Sequence, residues 1–174
     1  MTGKILAGIV VVSAIIAAAA MYYLQVYAFY DRVGASDDGV VMTTYGGAEQ
    51  RIIASDFQGI DADSSPIRYR ACFETSMSIP MLTETFEIYD DAEPLTAPGW
   101  FDCFDAEQIA DDLASGQAVA FLSVKNIAYG VDRVISVGSD GRAFAWHQLN
   151  NCGERAYDGS PVGEECPPRD QGAE

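Results

Sequence analysis

GVDRVISVGSDGRAFAWHQL, residues 130–149, decides the fold class of the soluble part of this chain. Two runs rich in β-branched and aromatic residues flank the turn sequence GSDG at 138–141, which is the pattern of a β-hairpin. The segment before it, AVAFLSV at 118–124, is continuously apolar and predicts a buried strand. The hairpin therefore favours an antiparallel sheet in the second half of the chain.

One amphipathic helix is predicted before these strands, in the segment DAEQIADDLAS. Asp105 and Gln108 have the spacing of a capping box, and Ile109 and Leu113 share one face of a helix. Gly116 follows, and a glycine can end a helix because it accepts positive φ angles.

Four strands are predicted earlier in the chain. VVMTTY (40–45) and EQRIIA (49–54) flank a Gly-Gly pair, and residues 59–66 are rich in turn formers. IRYRACFE (67–74) alternates between apolar and polar residues, which indicates a half-buried strand, and TETFEIY (83–89) repeats this pattern more weakly. In IRYRACFE the polar positions, expected on the solvent side, are Arg68, Arg70, Cys72 and Glu74. The order β-β-β-β-α-β-β-β predicts an α+β domain, mainly antiparallel sheet with one helix on a face.

An apolar segment begins the chain. From Ile5 to Leu24 there are twenty residues without a charge, and as a helix they would span about 30 Å, the thickness of the hydrocarbon core of a bilayer. The aromatic residues at its far end, which favour the headgroup region, are Tyr22, Tyr23, Tyr27, Phe29 and Tyr30. Lys4 and the terminal amine predict a cytoplasmic N-terminus. We therefore expect a single-pass anchor in contact with the lipid bilayer and an exported domain.

A secretory signal peptide is the alternative for this segment, with residues 5–16 as its apolar region and Ala18-x-Ala20 as the cleavage site. Cleavage there would leave an apolar new terminus beginning at Met21. We favour the retained anchor, and both alternatives export the domain.

The chain divides by composition into four parts. Residues 1–30 are the anchor, 31–39 a polar linker, 40–152 the exported α+β domain, and 153–174 an acidic tail rich in Pro and Gly that we expect to be irregular. The 26 acidic residues outnumber the ten basic ones, so the formal net charge is −16. Such a surface repels nucleic acid. Its simplest interpretation is a well-solvated surface, and the alternative is attraction to a basic partner or to cations.

The four cysteines, Cys72, Cys103, Cys152 and Cys166, all follow the apolar segment. In an oxidising compartment an even number of cysteines implies disulfides, and three connectivities are possible. We favour Cys72 with Cys103, which would tie a strand to the start of the helix, and Cys152 with Cys166, which would hold the tail. Neither a Cys-x-x-Cys motif nor the close ligand pairs of a zinc site are present.

The sequence contains no motif for a catalytic residue, a cofactor site or a metal site. His147 is the single histidine and lies in a predicted strand, where a histidine is commonly structural. Residues 61–65 begin like a calcium loop, but Pro66 stands where an EF-hand needs glycine. Asp90, Asp91 and Glu93 could bind a hard cation weakly, but clustered carboxylates in a loop are usually only solvated.

A family resemblance rests on four segments: MYYLQVYAFY, the strand segment IRYRACF with the four turn residues before it (63–73), GWFDCFDAEQIADDL and YGVDRV. With them the chain resembles an uncharacterised family of short, single-pass, membrane-anchored alphaproteobacterial proteins, known as a domain of unknown function. The resemblance implies a single-pass anchor in a bacterial inner membrane with the domain in the periplasm, and it assigns no catalytic residue.

Two function hypotheses follow. The first is a non-enzymatic interaction module, such as an accessory or assembly subunit of a membrane protein complex, with Trp100 and Phe101 as candidate contact residues. The alternative for these two aromatics is core packing beneath their loop. The alternative is a small exported enzyme or ligand-binding domain with an unrecognised site. A pocket that gathers His147, Arg68, Arg70 or several carboxylates would favour the alternative.

Overall fold

The computed structural model describes residues 2–35 and 39–168, and its chain forms two compact units, residues 1–31 and 32–174. The first unit is helix α1, Thr2–Val26. Its segment Gly3–Val26 has a mean hydropathy of 2.5, and this helix is long and apolar enough to cross a membrane. Residues 36–38 of the expected linker and 169–174 of the expected tail lie outside the described residues.

The second unit is an α+β domain, as predicted, built around a six-stranded sheet with the order β1-β4-β5-β8-β7-β6. The strands are β1 Asp31–Val33, β2 Val41–Thr43, β3 Glu49–Arg51, β4 Ser55–Asp61, β5 Arg70–Glu74, β6 Ala118–Ala128, β7 Val131–Gly138 and β8 Arg142–Leu149, and the helices are α2 Ile79–Thr85 and α3 Ala106–Ala114. Strands β2 and β3 form a separate antiparallel pair. In the large sheet the antiparallel pairs are β4 with β5, β5 with β8, β8 with β7, and β7 with β6.

The predicted hairpin is β7 and β8. Val137 lies opposite Ala143 in this pair, and the turn between the strands contains Gly141 at φ 88°. The predicted helix is α3: the Asp105 carboxylate accepts hydrogen bonds from the amides of Glu107 and Gln108, and Gly116 ends the helix at φ 74°. The capping box is only half formed, because the Gln108 side chain bonds to Asp112 instead.

Three predictions in the first half of the domain are wrong in detail. Residues 79–85, which include the start of TETFEIY, form α2, with Pro80 in its first turn. Two strands were not predicted: β1 lies in the expected linker, and β4 extends into the expected turn. The turn formers at 59–61 are tolerated in β4 because its partner strand and not its own pattern fixes the pairing.

The sheet is buried on both faces, so the solvent-facing positions expected in IRYRACFE are wrong for Arg70 and Cys72. Arg70 is only 4% exposed and Cys72 is also buried. We call the front face the one that carries Ala143 and Ala145 of β8; it packs against Met42 of β2 and against α2. The back face carries Phe144 and Trp146, and the loop between α2 and α3 covers it.

Phe104 shows how this loop covers the back face. Its ring packs edge-on against Phe144 and Trp146, with centroid distances of 6.0 and 6.3 Å. The disulfide between Cys72 and Cys103 joins the loop to β5 at the neighbouring position. Because both faces are covered, the polar and charged residues that could bind a ligand lie at the ends of the strands and under the loops.

We predict that Gly59→Ala destabilises the domain. A Cβ atom at Gly59 would lie 2.8 Å from Val33 Cγ2 and 3.0 Å from the Val33 carbonyl oxygen, so β1 would have to move. We expect the free energy of unfolding in denaturant to fall by about 1–3 kcal/mol. Gly99→Ala is the control, because no atom lies within 4 Å of its Cβ position, and it should change stability by less than about 0.5 kcal/mol. Equal effects of the two substitutions would contradict the close approach of β1.

Candidate functional site

Both favoured cysteine pairs are present as disulfides. Cys72 and Cys103 have a Cα–Cα distance of 6.3 Å, and Cys152 and Cys166 have one of 4.8 Å. The second pair makes residues 153–165 a closed loop that returns to the end of β8. The amide of Gly153 donates to the carbonyl of Glu164 at 2.8 Å within this loop. The first part of the tail is therefore held in one place against the sheet.

A buried carboxylate, Asp132 of β7, organises the sheet end beside this loop. It is fully buried and accepts hydrogen bonds from the backbone amide of Asn126 at 2.8 Å and from the side-chain amide of Asn150 at 2.7 Å. The Tyr89 hydroxyl donates to it at 3.2 Å, and the Lys125 ammonium lies 3.1 Å away. Burial and the Asp132 charge raise the pKa of Tyr89, so its hydroxyl stays protonated and donates. Four polar groups therefore compensate the buried charge of the Asp132 carboxylate.

Lys125 connects this buried carboxylate to the tail. Its ammonium lies 2.8 Å from Glu164, in addition to its contact with Asp132. Burial lowers the pKa of Lys125, but the bonds to Glu164 and Asp132 outweigh burial and raise it. Lys125 therefore stays charged and fixes the tail loop over the sheet edge.

An acidic cleft of about 550 Å³ lies between the tail loop, residues 87–93 and the ends of β6 and β8. Its acidic lining residues are Glu87, Asp90, Asp91, Glu93, Glu154 and Glu164, and Lys125 is the basic one. Ile88 and Leu149 also line it and are 40% and 68% exposed. The cleft therefore combines negative charge with exposed apolar surface.

The cleft is suited to binding by charge and less suited to acid–base chemistry. Asp90, Asp91 and Glu93 are exposed, and the buried carboxylate behind them, Asp132, has its lone pairs occupied. Within residues 2–35 and 39–168, the structure places no group of three or more His, Cys, Asp and Glu side chains where they could hold a metal ion. A ligand of this cleft would be recognised by positive charge and by an apolar contact.

His147 is buried on the front face, and both of its ring nitrogens are engaged. Arg133 Nε donates to His147 Nε2 at 2.9 Å, and Nδ1 lies 2.6 Å from the Pro66 carbonyl oxygen. A carbonyl can only accept, so Nδ1 carries the proton and the imidazole is neutral. Burial and the neighbouring Arg133 charge lower the pKa of His147 to about 4. His147 has no free lone pair with which to act as a base.

Of the features expected to favour an enzyme or a ligand-binding domain, the cleft gathers several carboxylates, but His147, Arg68 and Arg70 do not come together. Arg70 lies on the back face, where its guanidinium donates to backbone carbonyls, including that of Leu95 at 2.7 Å. His147 lies on the front face, and Arg68 lies in the turn before β5. None of the three lines the acidic cleft.

The two candidate contact aromatics differ in burial. Phe101 is only 8% exposed, and its amide bonds to the Pro98 carbonyl in a turn. Trp100 is partly exposed and packs edge-on against Phe101, with 6.3 Å between the ring centroids. Trp100 therefore presents surface for a contact, and Phe101 supports it from below.

Sequence reasoning missed Asp132, Lys125 and Arg133. One indication was present: Asp132 and Arg133 interrupt the apolar pattern of β7, where a charge needs a partner. The partners themselves, Tyr89 and Asn150, lie 43 and 18 positions from Asp132, so no local pattern could have identified them.

The fold and the cleft define a small, disulfide-linked α+β domain that follows a helix of membrane-spanning length. The chain belongs to a family of unknown function, DUF6446, whose sequence profile matches residues 40–167. This match confirms the resemblance to an uncharacterised family, and it includes most of the tail. No curated protein and no solved structure matches the chain significantly.

We predict an unusually acidic titration of the single histidine. In an NMR titration the His147 ring signals should shift with a midpoint near pH 4, because the folded protein disfavours the charged imidazole. The unfolded chain, with a pKa near 6.5, binds this proton more readily, so stability is fully present above about pH 6.5 and falls as the pH drops toward 4. The loss amounts to about 3 kcal/mol at most.

His147→Asn is the matched control, because the amide cannot titrate. Its free energy of unfolding should lack this part of the pH dependence, although the change in side-chain shape lowers stability at every pH. A wild-type midpoint near 6.5 would contradict the buried, doubly bonded imidazole.

Proposed function

We propose that this protein is a membrane-anchored, non-enzymatic interaction module whose acidic cleft receives a basic segment of a partner membrane protein. An accessory or assembly subunit of a membrane complex would work in this way. The helix α1 would span a bacterial inner membrane once, with its N-terminus in the cytoplasm and the domain in the periplasm. The observation that carries the proposal is the acidic cleft with Ile88 and Leu149 exposed beside it.

The anchor is supported by the apolar helix and by the aromatic cluster at its C-terminal end. Tyr27 contacts both Tyr22 and Tyr23, with ring centroid distances of 6.2 and 6.0 Å. The two disulfides are consistent with an oxidising compartment. An anchor would confine the domain to the membrane plane and raise its effective concentration toward other membrane proteins.

A basic segment with an apolar residue fits the cleft better than a simple cation does. Exposed carboxylates such as Asp90 and Asp91 steer positive charge, but ion pairs exposed to water contribute only about 0–1 kcal/mol each. Apolar contact with Leu149 and Ile88 would supply the larger part of the affinity. The enzyme alternative has less support, because His147 is engaged and the cleft carboxylates are solvated.

We predict that the apolar segment is retained in the mature protein. Mass spectrometry of protein extracted from membranes should give a chain that includes residues 1–30. The segment's unbroken helical run up to the alanines favours retention over cleavage. A soluble chain beginning at Met21 would instead establish the signal peptide.

We predict that neutralising the cleft abolishes partner binding without unfolding the domain. The triple substitution Asp90→Asn, Asp91→Asn and Glu93→Gln removes exposed charges, so the free energy of unfolding should stay within about 0.5 kcal/mol of wild type. A membrane protein that co-purifies with the native chain in mild detergent should be lost from the variant. Adding salt to the native complex should weaken it in the same direction.

The matched control neutralises three exposed acids outside the cleft: Glu49→Gln, Glu84→Gln and Asp111→Asn. It changes the net charge equally, so it should keep the partner if the cleft is the site. Trp100→Ala tests the second candidate contact by the same co-purification. Loss of the partner in both triple variants would mean that overall charge, and not the cleft, drives binding. A native chain that purifies alone as a monomer would contradict the interaction module.

A further inference from the structure

A second cavity lies on the front face, away from the acidic cleft, and has a volume of about 180 Å³. This is the liquid volume of about six water molecules. Its apolar walls include Val33, Phe57 and Ile135, and its polar lining includes Arg133, Tyr69 and Asp61. The cavity is thus an apolar pocket with a few polar groups at one side, which is the usual composition of a small-ligand site.

Arg133 is held rigidly at this cavity. Its Nε donates to His147 Nε2 at 2.9 Å, and its guanidinium carbon lies 4.3 Å from the centre of the Tyr69 ring. These contacts use one edge and one face of the guanidinium. Its terminal nitrogens, Nη1 and Nη2, form no hydrogen bond or ion pair with any residue that the structure describes. A pre-oriented fork of N–H donors is therefore available.

The Tyr69 hydroxyl is a second hydrogen-bond donor at this cavity. The residue is only 7% exposed, and its ring stacks on His147 with a centroid distance of 4.6 Å. Its hydroxyl makes no hydrogen bond with any part of the described chain. Tyr69 lines the cavity, where a ligand or water can bond to this hydroxyl.

We propose that this cavity binds a small monocarboxylate with a short apolar chain. The Arg133 fork would hold the carboxylate through paired N–H donors, the geometry in which arginine recognises carboxylates best. The Tyr69 hydroxyl would donate to the same group, and the chain would lie between Val33, Phe57 and Ile135. This site is independent of the acidic cleft, so neither proposal needs the other.

The Asp61 side chain favours a monocarboxylate over a phosphate as the ligand of this cavity. Its side chain lines the same cavity, and its charge acts on Arg133. Because Arg133 and Asp61 both line it, the cavity has no net charge, so a phosphate dianion would lose more hydration than a monocarboxylate without a net positive charge to offset the loss. Burial raises the pKa of Asp61, which reflects the low polarity of the site.

The test uses the full chain in mild detergent near neutral pH and follows the ring protons of His147, the only histidine in the chain. Its Nε2 accepts from Arg133, so a ligand on Arg133 should shift these signals. Sodium butanoate should give a saturable shift, acetate a weaker one, and butan-1-amine none. Inorganic phosphate should bind more weakly than butanoate. The absence of a saturable shift with millimolar butanoate, or equal binding of phosphate, would overturn the proposal.

Variants separate the two donors. Tyr69→Phe removes only the hydroxyl; it should weaken butanoate binding about 2- to 10-fold and leave stability without ligand unchanged or higher. Arg133→Lys keeps the charge but loses the fork, and it should weaken binding more strongly. Arg142→Gln removes an exposed arginine of the hairpin turn that pairs with Asp140, and it should bind butanoate as the native chain does.

Each contrary result has a definite meaning. Unchanged binding in Tyr69→Phe or Arg133→Lys would place the ligand elsewhere and overturn the site. A loss of stability in Tyr69→Phe without ligand would show that the hydroxyl has an internal partner, which also overturns it. If Arg133→Lys does not fold, Tyr69→Phe decides alone. If a short peptide with a free C-terminal carboxylate binds more tightly than butanoate, the carboxylate that this cavity recognises is the C-terminus of a protein. A small free acid as the natural ligand is then overturned.

Discussion

The burial of the Arg70 charge is the constraint on which the back of the domain depends. Arg70 is only 4% exposed, and an unpaired charge there would cost far more than the fold can supply. Its guanidinium donates to four backbone carbonyls, those of Ile67, Tyr69, Leu95 and Thr96. Since two of these acceptors belong to the long loop after α2, the loop must cover the sheet. The disulfide from Cys103 and the ring of Phe104 fix the same loop, so charge, covalent bond and packing act together.

The sequence predicts those parts of the fold that local patterns determine. The hairpin turn at 138–141 and the cap at Asp105 need only near neighbours, and both are present. The weak alternation in TETFEIY fails because Pro80 and the following residues favour a helix, yet Phe86 and Ile88 still form single bridges to Thr44 and Phe121. The expectation that Arg70 faces solvent fails because a distant loop, which no strand pattern can reveal, covers that face.

The candidate sites are less predictable than the fold because each one joins distant segments. The acidic cleft takes its lining from residues 87–93, from the ends of β6 and β8, and from the tail loop. The cavity takes its lining from six strands: β1, β2, β4, β6, β7 and β8. Composition predicted the negative charge correctly, but only the sheet order places these acids together. Trp100 and Phe101 were adjacent candidates, and the structure separates them by burial.

Two successive charged residues in β7 explain why the two sides of the sheet offer different chemistry. Successive side chains of a strand point to opposite faces, so Asp132 lies toward the cleft and Arg133 toward the cavity. Asp132 receives donors from Asn126, Asn150, Tyr89 and Lys125, and it serves the structure because its acceptors are used. Arg133 gives one donor to a neutral His147 and keeps its terminal nitrogens. A protonated His147 would place a second positive charge next to that guanidinium and could no longer accept its Nε–H. The neutral imidazole is therefore required to hold Arg133 in place while its terminal N–H groups remain available.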